Sequence, residues 1–198
     1  MSHTIPPVAI LVSHRVADYD AWKKVFDDDA PARKEAGCLG HHINRGADDP
    51  SWVYVYCPAT DVDKIKAFIH SPQVAGVMKN AGVEGPPTIR FMTPMSADFI
   101  PDQKLPGIIV THTVEDYDRF RVTYDEFDGF RKQSGIIGHA VNQELGNPNQ
   151  VTIYHQANDM DSLRAFLDSP ELKERMHSAG VTGPPDIRFV HVSDFADY

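Results

Sequence analysis

Two histidines, His14 and His112, stand in matching phrases, HRVADYD and HTVEDYD, each closing a run of apolar and β-branched residues. An imidazole titrates near neutral pH, so in such a setting it can act as a general base on an acidic C–H or a phenol. It can equally hydrogen-bond the start of the following helix or an Asp of the DYD segment, and the residue types leave both roles open. Two further polar pairs recur on apolar runs, Tyr56 with Tyr154 and Asn44 with Asn142. A phenol and an amide among apolar walls would orient an oxygen-bearing ligand, and in a catalytic site the oxyanion developing on it. Tyrosines so placed also serve as half-buried packing groups. Trp52 and Tyr54 add aromatic surface to the first half, where the second has Gln150 and Thr152, whereas Val53 and Val55 are matched by Val151 and Ile153. One parity is kept and the other diverges, which predicts a helix-packed face and a face free to specialise. The two halves of a pocket should then be unequal, with His14, beside the aromatic pair, the histidine expected to matter more to function.

The remaining reactive side chains point to less. His41, His42, His139 and His155 suit zinc, copper or iron, but His42 and His155 have no counterpart in the other half, and adjacent strand residues point to opposite faces. No metal centre is expected. Arg90 and Arg188 can bind a carboxylate or phenolate, with a salt bridge to a helix Asp as the commoner use. Asp27-Asp28-Asp29 reads as a solvated helix face, and His70 as a solvated helix residue. Cys38 and Cys57 match Ile136 and His155, which indicates neither a disulfide framework nor a metal knuckle. There is no glycine-rich phosphate loop, nucleophile elbow, Cys–His pairing or dinucleotide fingerprint.

The matching phrases belong to a gapless repeat. At a constant offset of 98, His14 falls on His112, Gly37 on Gly135, Pro72 on Pro170 and Phe91 on Phe189. Roughly two-fifths of positions agree between 8–92 and 106–190, far above chance, so the domain is duplicated. The expected division is a first repeat over 1–93, a linker over 94–105 and a second repeat over 106–198; TPMSADFIPDQKLP lacks periodicity and carries three prolines. Each copy reads in one order. A β-branched run (VAILVSHRV, GIIVTHTV) predicts a strand, and a segment that Asp18 can cap predicts a helix, interrupted by Pro31. Two strands joined around Asp48-Asp49-Pro50, or GNPN, follow as a hairpin. A second helical region should break at Ser71-Pro72, and AGVEGPPTIRF, returning as AGVTGPPDIRF, reads as a helix-to-strand loop before a last strand at Ile89.

Composition limits the partners. The formal net charge of −9 comes with no Lys/Arg cluster, which disfavours nucleic acid and anionic membranes. No apolar run approaches spanning length and no leader is evident, so a cytoplasmic protein is expected. A small apolar or aromatic molecule is the expected partner.

The order βαββαβ is the ferredoxin-like arrangement, an antiparallel sheet with both helical regions on one face and the other face in need of cover. The second copy can provide it, giving an α+β fold in which two repeats pack sheet to sheet as an intrachain pseudo-dimeric barrel, alone or in a further homo-oligomer. Through Gly37-x-x-Gly40, Asp49-Pro50 and Ala67-Phe68-x-x-Ser71-Pro72, the chain resembles the dimeric α+β barrel superfamily, and within it the antibiotic biosynthesis monooxygenase-like domains. The resemblance implies a small-molecule-binding barrel: a cofactor-independent monooxygenase, cyclase or isomerase acting on an aromatic or polyketide-like substrate, or else a non-catalytic ligand-binding or stress-associated module. Haem-degrading relatives carry an axial histidine on the second helix. The matching position here is Met78 or Met176, with His177 one residue off, so no cofactor is implied.

Overall fold

The computed structural model describes residues 5–198, which divide into two compact units, one formed by the residues up to Met92 together with Val192–Tyr198, the other by Thr93–His191. The chain runs β1 (Val8–Val16), α1 (Tyr19–Asp28), α2 (Ala30–Glu35), β2 (Gly40–Gly46), β3 (Trp52–Ala59), α3 (Val62–Ile69), α4 (Pro72–Asn80) and β4 (Val83–Asp98). The same order returns as β5 (Pro106–Val114), α5 (Tyr117–Glu126), α6 (Asp128–Gln133), β6 (Ile136–Glu144), β7 (Asn147–Ala157), α7 (Met160–Asp168), α8 (Pro170–Ser178) and β8 (Val181–Asp197). The expected duplication of βαββαβ is therefore present. Along hydrogen-bonded neighbours the strand order is cyclic, β1-β3-β2-β8-β5-β7-β6-β4.

In the first unit β1 pairs antiparallel with β3 and β4, and β2 pairs with β3. Register decides the faces. His14 lies opposite Val53, Val12 opposite Val55 and Ile10 opposite Cys57, so these six share the face that carries the core with Trp22, Ile65 and Ala81 of the helical segments. Ser13 opposite Tyr54 and Leu11 opposite Tyr56 make up the other face. The second unit repeats this, with His112 opposite Val151, Val110 opposite Ile153 and Ile108 opposite His155. Each fully buried Ile or Leu on the helix side, such as Ile65 and Leu163, contributes about 1.5–3 kcal/mol.

Caps and breaks follow local chemistry. Asp18 accepts from the N–H groups of Asp20 and Ala21, and Ser71 from that of Val74, which starts α1 and α4 as read from sequence. The first helical segment does divide, at Asp29, with Pro31 in the first turn of α2 as read from sequence; the second unit divides at the matching Phe127 without a proline, so the break does not depend on one. What the two breaks share is a buried arginine. Arg33 Nη1 donates to the Phe26 carbonyl at 2.5 Å and Arg131 Nη1 to that of Tyr124 at 2.5 Å, each meeting a carbonyl in the last turn before the break.

The repeated GPP phrase is also corrected: it lies inside the last strand of each unit. Arg15 pairs with Glu84 and Ser13 with Thr88, leaving Gly85, Pro86 and Pro87 opposite His14 alone. Thr113 pairs with Thr182 and Thr111 with Asp186, leaving Gly183, Pro184 and Pro185 opposite His112. Gly85 and Gly183 adopt φ of 71° and 69°, which favour glycine, and prolines have no N–H to leave unpaired at such a bulge. Residues 94–98, assigned to the linker by their lack of periodicity, continue β4, so the connection without strand is 99–105. Likewise Asn147-Pro148-Asn149 open β7, and the second hairpin turns at Leu145-Gly146.

Candidate functional site

Each unit holds a cavity of about 70 Å³ between its sheet and its helices. The first is walled by Val12, Val55, Trp22, Phe26, Phe68 and Met78, with His14, Asp29, Arg33, Cys38 and Cys57 as its polar or sulfur groups. The second is walled by Val110, Phe120, Phe127, Phe166 and Met176, with His112, Tyr124, Arg131, His155 and Arg175. Both sequence-predicted histidines thus face cavities, on the helix side of the sheet.

Both are buried, His14 to 4% and His112 to 5% exposure, and neither ring nitrogen of either has a hydrogen-bond partner. The alternative role as a cap is filled by others: Asp18 and Asp116 accept from the first N–H groups of α1 and α5. Trp22 lies 5.6 Å from the His14 ring and Phe120 5.5 Å from that of His112. Burial in these aromatic surroundings lowers each imidazole to a pKa of about 4, so both are neutral at pH 7. The GPP bulge opposite each histidine bends the neighbouring strand where the imidazole must be aimed.

The other predicted site residues lie elsewhere. Tyr56, Asn44, Trp52 and Tyr54 occupy the opposite face of the first sheet, since Asn44 pairs with Tyr54 and Tyr54 with Ser13. Tyr154 and Asn142 do the same in the second, opposite Ala140 and Thr152. A phenol or amide on that face cannot share a helix-side cavity with His14 or His112, so the expected pairing of base and orienting groups is corrected. Period-two alternation separates the two sets. The reason for favouring His14, its nearness to Trp52 and Tyr54, falls with it; its aromatic neighbour is Trp22. Tyr154 instead packs on Gly107, where an added Cβ would come within 2.4 Å of the ring. Arg188 pairs with Asp186 of its own strand at 2.8 Å instead of a helix Asp.

Residues that sequence reading missed complete the second cavity. Tyr124 Oη lies 3.2 Å from His155 Nε2, and burial together with the Arg131 charge lowers His155 to a pKa of about 3. Arg131 is 4% exposed, sits 3.9 Å over the Tyr124 ring, and its Nε has no hydrogen-bond partner. Its signal was available, because Arg33 and Arg131 stand at the repeat offset. The two cavities have also diverged together: Asp29 and Val77 in the first correspond to Phe127 and Arg175 in the second, where the guanidinium lies 3.6 Å over the Phe127 ring. His139 pairs with His155 across β6 and β7, and among the described residues no group of three or more ligating side chains could hold a metal. Met78 and Met176 line the cavities while His177 is exposed, so the residues present do not fit a haem.

No protein-family model matches the sequence, and no curated protein sequence does either. Solved structures do. An anthrone oxidase-like protein is similar with a TM-score of 0.72 at 12% identity, over 96% of this chain and 92% of its own. A candidate monooxygenase from Fusobacterium nucleatum has a TM-score of 0.69 at 12% identity, over 99% and 96%. The chain has the α+β barrel fold. A ferredoxin-fold protein from Listeria monocytogenes, related to antibiotic biosynthesis monooxygenases, matches with a TM-score of 0.58 at 9% identity over 96% of each chain. The α+β fold class expected from sequence is thus what the chain shares with these structures, and at these identities the likeness speaks for the fold. Among the described residues no helix is long and apolar enough to cross a membrane.

Proposed function

We propose that the chain binds a small, ring-bearing, largely apolar molecule in its helix-side cavities. In this proposal His112 accepts a proton from an acidic O–H or C–H of that molecule, as in cofactor-independent oxygenation, cyclisation or isomerisation of an aromatic or polyketide-like substrate. The observation that carries the proposal is a buried imidazole on a cavity wall with both nitrogens unpartnered. Leaving such a group unsatisfied costs about 1–3 kcal/mol, and a ligand hydroxyl would recover that cost. Neutral at pH 7, the ring has one nitrogen ready to accept and the other ready to donate.

Several features favour the second cavity over the first. Proton transfer to His112 creates a buried imidazolium beside a substrate anion, and the anion is stabilised where cations line the wall. Arg131 and Arg175 do so in the second cavity, whereas the first sets Asp29 against Arg33 at 3.9 Å. An electron-rich anion formed there can react with dioxygen directly, or reprotonate or close a ring. A second reading, a non-catalytic binding or stress-associated module, draws on the same burial: a base lowered to about 4 is weak until an anion lies beside it. Native purification followed by denaturing extraction and mass spectrometry tests both. A ring-bearing molecule should be released, and it should bind the unloaded protein again; recovery of none from repeated preparations would overturn the proposal.

A further inference from the structure

The first cavity has a chemistry of its own, carried by the two cysteines. Cys38 and Cys57 are the only cysteines in the chain, and both are reduced, buried to 3% and 2% exposure, and part of one core cluster. Cys38 bridges to Ala59, two residues beyond Cys57 on β3, so the two cysteines are diagonal neighbours that line the same cavity. Cys38 also follows the second helical segment closely enough that its N–H donates to the carbonyl of Arg33 at 3.0 Å, and the Arg33 guanidinium has one nitrogen, Nη2, without a partner. The matching residues of the second unit are Ile136 and His155, so the thiol pair belongs to the first cavity alone.

We infer that Cys38 and Cys57 form a peroxide-reactive dithiol, with Cys38 the attacking thiol and Cys57 the resolving one. The two thiols are unequal. The neighbouring Cys57 thiol and the Arg33 charge hold Cys38 below its ordinary value against the effect of burial, while the neighbouring Cys38 thiol and burial push Cys57 well up. In the first step the Cys38 thiolate sulfur attacks one oxygen of hydrogen peroxide. The O–O bond breaks, the leaving hydroxide takes a proton to become water, and Cys38 becomes a sulfenic acid. In the second step the Cys57 sulfur attacks Cys38 Sγ, the S–O bond breaks, and the hydroxyl leaves as a second water with the Cys57 proton. Two thiols are oxidised to one disulfide and one peroxide is reduced to two waters. A cavity of about 70 Å³ admits an oxidant of two oxygen atoms, and half-buried Phe26, Asp29 and Phe68 form part of its wall. The step needs nothing from the second cavity and stands whether or not the proposed function does.

The test is thiol chemistry on the purified full-length chain. After treatment with a small excess of hydrogen peroxide, quenching and alkylation in urea, intact mass should show the loss of two hydrogens and no alkylated cysteine, reversed by dithiothreitol. Cys57→Ser should instead accumulate a sulfenic acid at Cys38 that dimedone captures, and Cys38→Ser should slow oxidation of the remaining thiol by about tenfold or more. Two thiols still open to alkylation after peroxide has oxidised free glutathione would overturn the inference. So would independent oxidation of each cysteine to the sulfinic acid, or a disulfide found only between two chains. The unsubstituted protein carries the decisive measurement, so a variant that fails to fold does not remove the test.

Discussion

Pro86 stands opposite His14 across β1 and β4, the middle of three residues that face one, and Pro184 stands opposite His112 in the same way. The phrase that the chain writes twice is therefore the partner of the histidine that it also writes twice. A proline pair at a bulge holds the strand bent without stranding an N–H group, and the glycine before it supplies the left-handed turn.

That relationship predicts a cost that comes from the backbone alone. A Cβ on Gly85 or Gly183 would meet no atom within 4 Å, yet both have positive φ. Gly85→Ala and Gly183→Ala should each lower stability by about 1–2 kcal/mol. Gly76→Ala, also free of contacts but inside α4, should raise it by about 0.5–1 kcal/mol. Urea midpoints at unchanged slope are the measurement, and equal effects at the three sites would show that the bulge conformation is not held.

Much of this architecture is legible in the sequence because it is local. Period-two runs, the capping roles of Asp18 and Ser71, and the offset that carries His14 onto His112 all act within a few residues or by repetition. What escaped is set by partners distant in sequence. Arg33 meets the hydroxyl of Tyr198 at 2.8 Å, which no window around either residue reveals. Strand faces were separable in the sequence, and Val53 and Val55 do lie on the helix-packed face. Where a cavity would open was not, since that depends on how closely Trp22 and Phe26, or Phe120 and Tyr124, approach the sheet. Nor did the irregular composition of 94–98 disclose a strand, because the strands beside β4, which are β1 and β6, are distant in sequence.

Acid sensitivity follows from the buried imidazoles. His14 and His112 fall from 6.5 to about 4 and His155 to about 3, so between these values and 6.5 the unfolded chain binds protons that the folded chain refuses. The stability contributed by keeping these rings neutral is whole above pH 6.5 and is lost as pH falls, with a slope of up to about 1.4 kcal/mol per pH unit for each histidine. His41, His42 and His139, lowered chiefly by burial, act in the same direction. Urea midpoints should drop steeply from pH 7 to pH 5, and the double variant His14→Gln, His112→Gln should flatten that drop. An unchanged slope in the double variant would place the titration elsewhere.

The two histidines should separate in function. With the ligand recovered by native extraction as substrate, His112→Gln should lower kcat/KM by roughly two to four orders of magnitude, because glutamine keeps hydrogen-bonding capacity but cannot take up the proton. His14→Gln should change it by less than about tenfold. The pattern expected from sequence, with His14 dominant, would return the reacting group to the first cavity. Equal and small effects would favour the binding module.

The last expectation concerns the end of β8 and Tyr198 just after it, which belong to the first unit. Tyr198 Oη lies 2.8 Å from both Arg33 Nε and His41 Nδ1, while Asp194 accepts from His41 Nε2 at 3.1 Å and pairs with Lys23 at 2.9 Å. Arg33 and His41 are 5% and 4% exposed, so they depend on these partners in place of water. Tyr198→Phe keeps the ring over which the guanidinium lies but removes the oxygen that both nitrogens use. It should cost about 1–3 kcal/mol, the range for leaving a buried donor unmet. Asp194→Asn, on a side chain one-third exposed, should cost less than about 1 kcal/mol. If Tyr198→Phe leaves the urea midpoint unmoved, the hydroxyl does not hold Arg33 in place, and the guanidinium must be anchored by its bond to the Phe26 carbonyl instead.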